Sequence, residues 1–233
     1  VLSFAALGWI GREIYQAAPP IPSAVVAADG SVLFTAEDVQ RGQRAWRAAG
    51  GQQLGSVWGH GSYVAPDWSA DWLHREAVAL RDVLARQRGA DPADVAAQGA
   101  LQALVQQQMR TNTWDAASGR VTVSAERAEA IRAVAQHFDA LFGQYAMTDD
   151  TLPEAVDRKA LTAFFFWSAW SAATDRPGET GLSYTSNWPH EPLVGNTLTA
   201  SAAMWSIASI ILLLAGIGGM LWLYGRRGHE ADP

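Results

Sequence analysis

Residues 50–68 read Gly50-Gly51-Gln52-Gln53-Leu54-Gly55-Ser56-Val57-Trp58-Gly59-His60-Gly61-Ser62-Tyr63-Val64-Ala65-Pro66-Asp67-Trp68. Five glycines and a proline in this stretch break both helical and strand periodicity, so it is a loop with a tightly turned backbone. Helices lie on both sides. Thr35 with Asp38 forms a capping-box start, Val39, Gly42, Ala45 and Trp46 share one helical face, and Gly50-Gly51 stops the helix. After the loop, Ser69 is placed to cap a helix running to Arg88. Trp72, Leu73, Leu80, Val83 and Leu84 point inward, and Gly89 ends it.

The same reading extends over the interior of the chain. Pro19-Pro20-Ile21-Pro22 is an extended linker, because proline fixes φ and its predecessor avoids helix. Ala28 to Phe34, turning at Asp29-Gly30, reads as a short hairpin. Asp91-Pro92 is expected to open a helix with Val95, Leu101, Leu104, Val105 and Met109 as its stripe. Thr111 to Trp114 and Arg120 to Val123 flank a turn as a second hairpin. Ser124 caps a helix carrying Ile131, Val134, Phe138, Leu141 and Phe142. Thr151 and Pro153 open a last helix through Phe164-Phe165-Phe166-Trp167 to Ala173, and Pro177-Gly178 begins an aperiodic loop. The expected fold is mainly α.

The ends are apolar. No charge occurs between Glu191 and Arg226, and Ala202 to Tyr224 is almost wholly hydrophobic. As a helix these residues extend about 34 Å, enough to cross a bilayer. Trp205 near one end, and Trp222 and Tyr224 near the other, suit the interfacial belts. Arg226 and Arg227 then place the C-terminus in the cytoplasm by the positive-inside rule. Val1 to Gly11 is apolar but half that length, and is read as the outer half of a first transmembrane helix ending at Arg12 and Glu13. The expected organisation is 1–13 for that half-helix, 20–195 for an outer (periplasmic) domain, 200–225 for a second transmembrane helix and 226–233 for a cytoplasmic linker. Membrane lipid is therefore a partner. A net charge of −6 argues against nucleic acid, and the absence of cysteine excludes disulfides and thiolate metal sites.

Two segments carry a resemblance. Trp58-Gly59-His60-Gly61-Ser62-Tyr63-Val64-Ala65-Pro66-Asp67-Trp68 is one. The other is Phe164-Phe165-Phe166-Trp167 with Asn187-Trp188-Pro189-His190-Glu191-Pro192-Leu193-Val194-Gly195-Asn196. The chain resembles the N-terminal region of quinol-dependent nitric oxide reductases, single-chain relatives of haem–copper oxidases. The resemblance implies a cytochrome-c-like periplasmic domain without haem, in an enzyme reducing 2 NO to N₂O and water with two electrons from quinol. Two b-type haems and a non-haem iron would be held by a catalytic bundle following this chain, in an enzyme compatible with a homodimer. In related reductases of two chains the haem motif is C-x-x-C-H, followed by G-x-G-x-Y. Alignment through the matching Gly59-His60-Gly61-Ser62-Tyr63 puts its cysteines at Gly51 and Leu54 and its axial histidine at Gly55, none able to attach or ligate haem.

In that family, carbonyl oxygens of this loop reach a Ca²⁺ at the haem propionates, so the resemblance makes Gly61 and Tyr63 calcium-ligand candidates. The alternative is a glycine-rich turn packed by Tyr63 and Trp58. His60 lies in the same loop. His190-Glu191, between two prolines, either sits near haem propionates or on a proton path, or simply fixes the strand entering the membrane helix. His74, His137 and His229 are scattered, and no H-x₃-H spacing suggests a metal site. Catalytic and cofactor-binding residues are expected outside this chain. A different class of function, a two-helix membrane receptor with an extracytoplasmic ligand-binding domain, also fits two helices around an outer domain.

Overall fold

Helix caps and turn glycines set the element boundaries of the chain. Its structure, a computed structural model, describes residues 2–91, 93–143 and 155–230. Two compact units separate at Thr197/Leu198. The described residues of the first, Val1–Thr197, hold helices α1 (Leu2–Gln16), α2 (Ala36–Ala48), α3 (Trp68–Arg88), α4 (Val95–Arg110), α5 (Ala125–Phe142) and α6 (Ala155–Ala173). Four short strands accompany them: β1 (Ala24–Ala27), β2 (Val32–Thr35), β3 (Trp114–Asp115) and β4 (Arg120–Val123). The architecture is mainly α, as expected.

The capping box at Thr35 and Asp38 forms as read, with each side chain bonded to the other's backbone N–H. Gly89 ends α3 in the left-handed conformation, and Ser124 caps α5. Two helix starts differ from expectation. Asp67, not Ser69, caps α3, because its carboxylate reaches the Ala70 N–H while Ser69 already lies inside the helix. Asp94 caps α4, so Val95 stands at the exposed first turn and not on the buried stripe. Leu101, Val105 and Met109 are buried as read. The expected Thr151-Pro153 helix start lies outside the described residues.

Both hairpins form, but they join. β1 pairs in parallel with β4, giving one sheet of order β2-β1-β4-β3. Pairing across nearly a hundred residues leaves no local signature, so the sequence shows the hairpins and not their union.

Helix α6 is buried on every side from Ala160 to Ala173, which explains its lack of an amphipathic period. It touches α2 so closely that a Cβ on Gly42 would lie 1.9 Å from the Ala160 carbonyl oxygen. Around α6 gathers an aromatic core. The Trp68 ring stacks on Phe165 at 5.2 Å and Trp72 stacks on Phe138 at 5.1 Å. Phe34, Phe142 and Phe166 complete the cluster. Such pairs contribute about 0.5–1.5 kcal/mol each beyond area burial. Within the core, Arg127 Nε donates to Glu76 Oε1 at 2.7 Å, Trp72 Nε1 donates to Glu76 Oε2 at 2.8 Å, and Arg127 Nη1 donates to the Gln108 carbonyl.

The second unit is α7 (Ala200–Glu230). Thr199 Oγ1 accepts from the Ala202 N–H at its start. Ala200–Arg226 is long and apolar enough to cross a membrane, and none of that stretch is buried by protein. At its far end the Arg226 guanidinium lies 4.8 Å over the Trp222 ring.

Candidate functional site

Gly50, at φ +107°, turns the chain out of α2 into a single 3₁₀ turn, Gly51–Gln53. Leu54 then drops into the core, 1 % exposed. Gly55, at φ +151°, passes the face of α3 with no room to spare: a Cβ there would lie 2.2 Å from Trp68 Nε1 and 2.7 Å from the Pro66 carbonyl oxygen. Trp46 Nε1 donates to the Gly55 carbonyl. The base of the loop closes through Ser56, whose N–H donates to Pro66 O while its own carbonyl accepts from Trp68 N–H.

Asp67 organises everything above that base. Its Oδ2 accepts from Ser56 Oγ at 2.8 Å and from the Gly59 N–H at 2.6 Å. Its Oδ1 accepts from Ser69 Oγ at 2.7 Å and from the Ala70 N–H at 2.9 Å. One buried carboxylate thus caps α3 and holds the loop to it. Ser56 Oγ also accepts from the Gly61 N–H. Trp58, at the unfavourable φ of +55°, is held by its N–H to Ser69 Oγ, its indole N–H to the Ser168 carbonyl and its ring against Trp167. Above this cage, Ser62, Tyr63 and Val64 project into solvent.

The second segment of the resemblance, beyond α6, folds over the first. Trp188 Nε1 donates to the Gly59 carbonyl at 2.9 Å, and its ring lies 4.6 Å from His60. That segment is stapled at its root by Arg110 on the last turn of α4. Nη1 of Arg110 donates to Asn196 Oδ1, and Nη2 to Asp175 Oδ1 and Asn187 Oδ1. Asn187 and Asn196 are buried there among backbone partners.

Of the residues singled out in the sequence, His60, Gly61 and Tyr63 share the loop tip. His190 is exposed, and adjacency in sequence does not pair it with Glu191. The buried Glu191 instead bonds His74 Nδ1 at 2.8 Å through Oε2 and accepts the Leu193 N–H through Oε1. Its backbone exchanges hydrogen bonds with Asn196. Asp67, Trp188 and Arg110 were not singled out. An Asp three residues before Ala70 is a recognisable capping signal, but nothing local marks the tryptophan or the arginine.

The haem and calcium tests give different answers. Gly51, Leu54 and Gly55 do not fit a covalent haem: Leu54 is a core side chain, and any β-carbon at position 55 collides with Trp68. For calcium, the carbonyls of Gly61 and Tyr63 accept no hydrogen bond among the described residues, so both are available as oxygen ligands. Both Asp67 oxygens are already engaged, and the described residues contain no cluster of three His, Cys, Asp or Glu side chains able to hold a metal. The loop offers two carbonyls, and a carboxylate ligand would have to come from elsewhere.

A search of curated proteins finds no match. A family model for the cytochrome c-like domain of NorB, a nitric oxide reductase chain, matches residues 22–190. That span begins in the proline linker, contains the four-stranded sheet, α2 to α6 and the caged loop, and ends beside Glu191. With most of its length so matched, the chain belongs to the NorB family of nitric oxide reductases, of which it carries the cytochrome c-like domain.

Proposed function

We propose that this chain is the N-terminal part of a quinol-dependent nitric oxide reductase, catalysing 2 NO + 2 e⁻ + 2 H⁺ → N₂O + H₂O. The observation that carries this reading is the closed haem loop. A cytochrome-type domain in which Leu54 and the Gly55–Trp68 contact occupy the ligand positions cannot relay electrons from a soluble donor. A donor dissolved in the membrane then reaches the catalytic bundle directly. The two b-type haems and the non-haem iron, which supply the redox chemistry, would be held by histidines of that bundle and not by this chain.

The domain of residues 20–195 would lie on the periplasmic side, with α1 and α7 both entering the inner membrane. Exposure of Phe4, Leu7, Trp9 and Ile14 on α1, and of apolar side chains all along α7, supports that placement. The domain's role is to cap the haem region and to present the Gly61 and Tyr63 carbonyls to a calcium ion there. His60 and His190, both exposed, would face the same region, while Glu191 anchors the strap to α3.

The test uses the complete enzyme. NO consumption is measured with a reduced quinol analogue and separately with reduced soluble cytochrome c. Turnover with quinol alone is expected. Turnover with cytochrome c alone would overturn the reading. Calcium content of Gly61→Val, compared with the parent protein at equal helicity, tests the loop: loss of one calcium is expected, and unchanged content would remove Gly61 from the ligand set.

A further inference from the structure

At the foot of α1 the chain encloses a cleft of about 500 Å³ with an unusual arrangement of charge. Glu13 and Gln16 at the helix end form one wall. Trp114 of β3, with Arg176, Glu179 and Tyr184 of the loop after α6, forms the other. Three donors on the second wall are available. Trp114 Nε1 is buried without an acceptor among the described residues, an arrangement that costs free energy unless something else accepts its hydrogen. Arg176 is fixed by Nε to the Ser183 carbonyl and by Nη2 to Tyr184 O and Ser186 Oγ; no carboxylate pairs with it among the described residues, and Nη1 remains. The Tyr184 hydroxyl accepts from Asn112 Nδ2, so its own proton is free to donate. Burial raises the pKa of that phenol and keeps the proton on. Opposite them, Glu13 and Glu179 are exposed and form no ion pair among the described residues.

A ligand complementary to both walls carries a multi-oxygen anion for the donors and a cation for the two glutamates. The position of the cleft narrows the choice. It opens where the apolar helix α1, exposed on all sides, becomes polar at Arg12 and Glu13, the level at which lipid headgroups meet water. We propose that this cleft binds the headgroup of a zwitterionic, primary-amine phospholipid, its phosphate against Arg176, Trp114 and Tyr184 and its ammonium between Glu13 and Glu179. The assignment rests on α1 entering the membrane, as in the reading above.

The experiment uses the whole chain in detergent, offered equal amounts of phosphatidylethanolamine and phosphatidylglycerol, with bound lipid read by native mass spectrometry. Phosphatidylethanolamine is expected to be retained over phosphatidylglycerol by about tenfold, the scale of one charge-assisted contact. Trp114→Phe, which keeps the ring and removes only the N–H, and Glu13→Gln with Glu179→Gln, at exposed positions, should each lower that retention about tenfold. Arg176 is left intact because it also holds the loop. Equal retention of the two lipids, or unchanged retention in both variants, overturns the proposal. Saturable binding of soluble phosphoethanolamine at the same affinity would overturn the lipid assignment in favour of a small free ligand. Because the chain has no cysteine, Ala6→Cys carries a single polarity-sensitive dye. Emission typical of water in lipid nanodiscs means that α1 is outside the membrane and the underlying reading has failed. Emission typical of lipid without selectivity for the amine headgroup sinks the cleft alone.

Discussion

Asp67 shows how much one side chain can fix. It satisfies two backbone N–H groups and two hydroxyls, and those four bonds tie the loop to the first turn of α3. Asp67→Ala removes a helix cap and leaves the Gly59 N–H without its partner, a loss of about 2 kcal/mol. Thermal unfolding measures it, and amide exchange at Gly59 and Gly61 should quicken in step. Asp67→Asn, also a good cap, should recover part of the loss. The Glu76–Arg127 pair makes a second, sharper case because both side chains are almost fully buried. Removing either partner alone, as in Glu76→Ala or Arg127→Ala, strands a charge and should cost about 3–5 kcal/mol, whereas Glu76→Leu with Arg127→Met should cost far less. A double-mutant cycle checks this; additive losses would show that the pair does not act as a unit.

At the scale of elements, local chemistry was legible and long-range partnership was not. The Thr35–Asp38 box, the Ser124 cap and the Gly89 stop read directly off the sequence because each is settled within four residues. The union of two hairpins through β1 and β4 was invisible. So was the Glu191–His74 contact, whose partners lie 117 residues apart. Adjacency suggested His190 as the companion of Glu191, but an extended backbone directs neighbouring side chains to opposite sides. The β3–β4 hairpin carries a pH signature of its own. The Ser118 hydroxyl, with the Ala117 and Ser118 N–H groups, holds the Asp115 carboxyl below the usual aspartate range. Because the folded state favours the ionised form, its contribution is present above the unfolded pKa, about 4, and fades as pH falls below it. The stability gap between the parent chain and Asp115→Asn should therefore be steady from neutrality to about pH 5 and narrow below about pH 4. A gap that widens in acid would contradict that sign.

For the whole molecule, the sequence disclosed a haem-type loop without ligands, while the structure supplies the reason such ligands could not be restored by chemistry alone. The aromatic cluster of Trp68, Trp72, Phe138, Phe142 and Phe165 is packed ring to ring, and Gly55 rides against Trp68 with no space for a β-carbon. Dense stacking of this kind has no sequence period, so eleven tryptophans could be counted without their placement being known. The domain has a cytochrome's family membership with an interior filled by its own side chains. The most direct measurement expresses the parent chain and a Gly51→Cys, Leu54→Cys, Gly55→His variant beside a haem-attachment system, and reads covalent haem by absorbance and folding by circular dichroism. The account predicts no covalent haem on the parent chain and no folded haem protein from the variant, because the new histidine displaces Trp68 from the core. A variant that folds with native helicity and carries a covalent, histidine-ligated haem would contradict it.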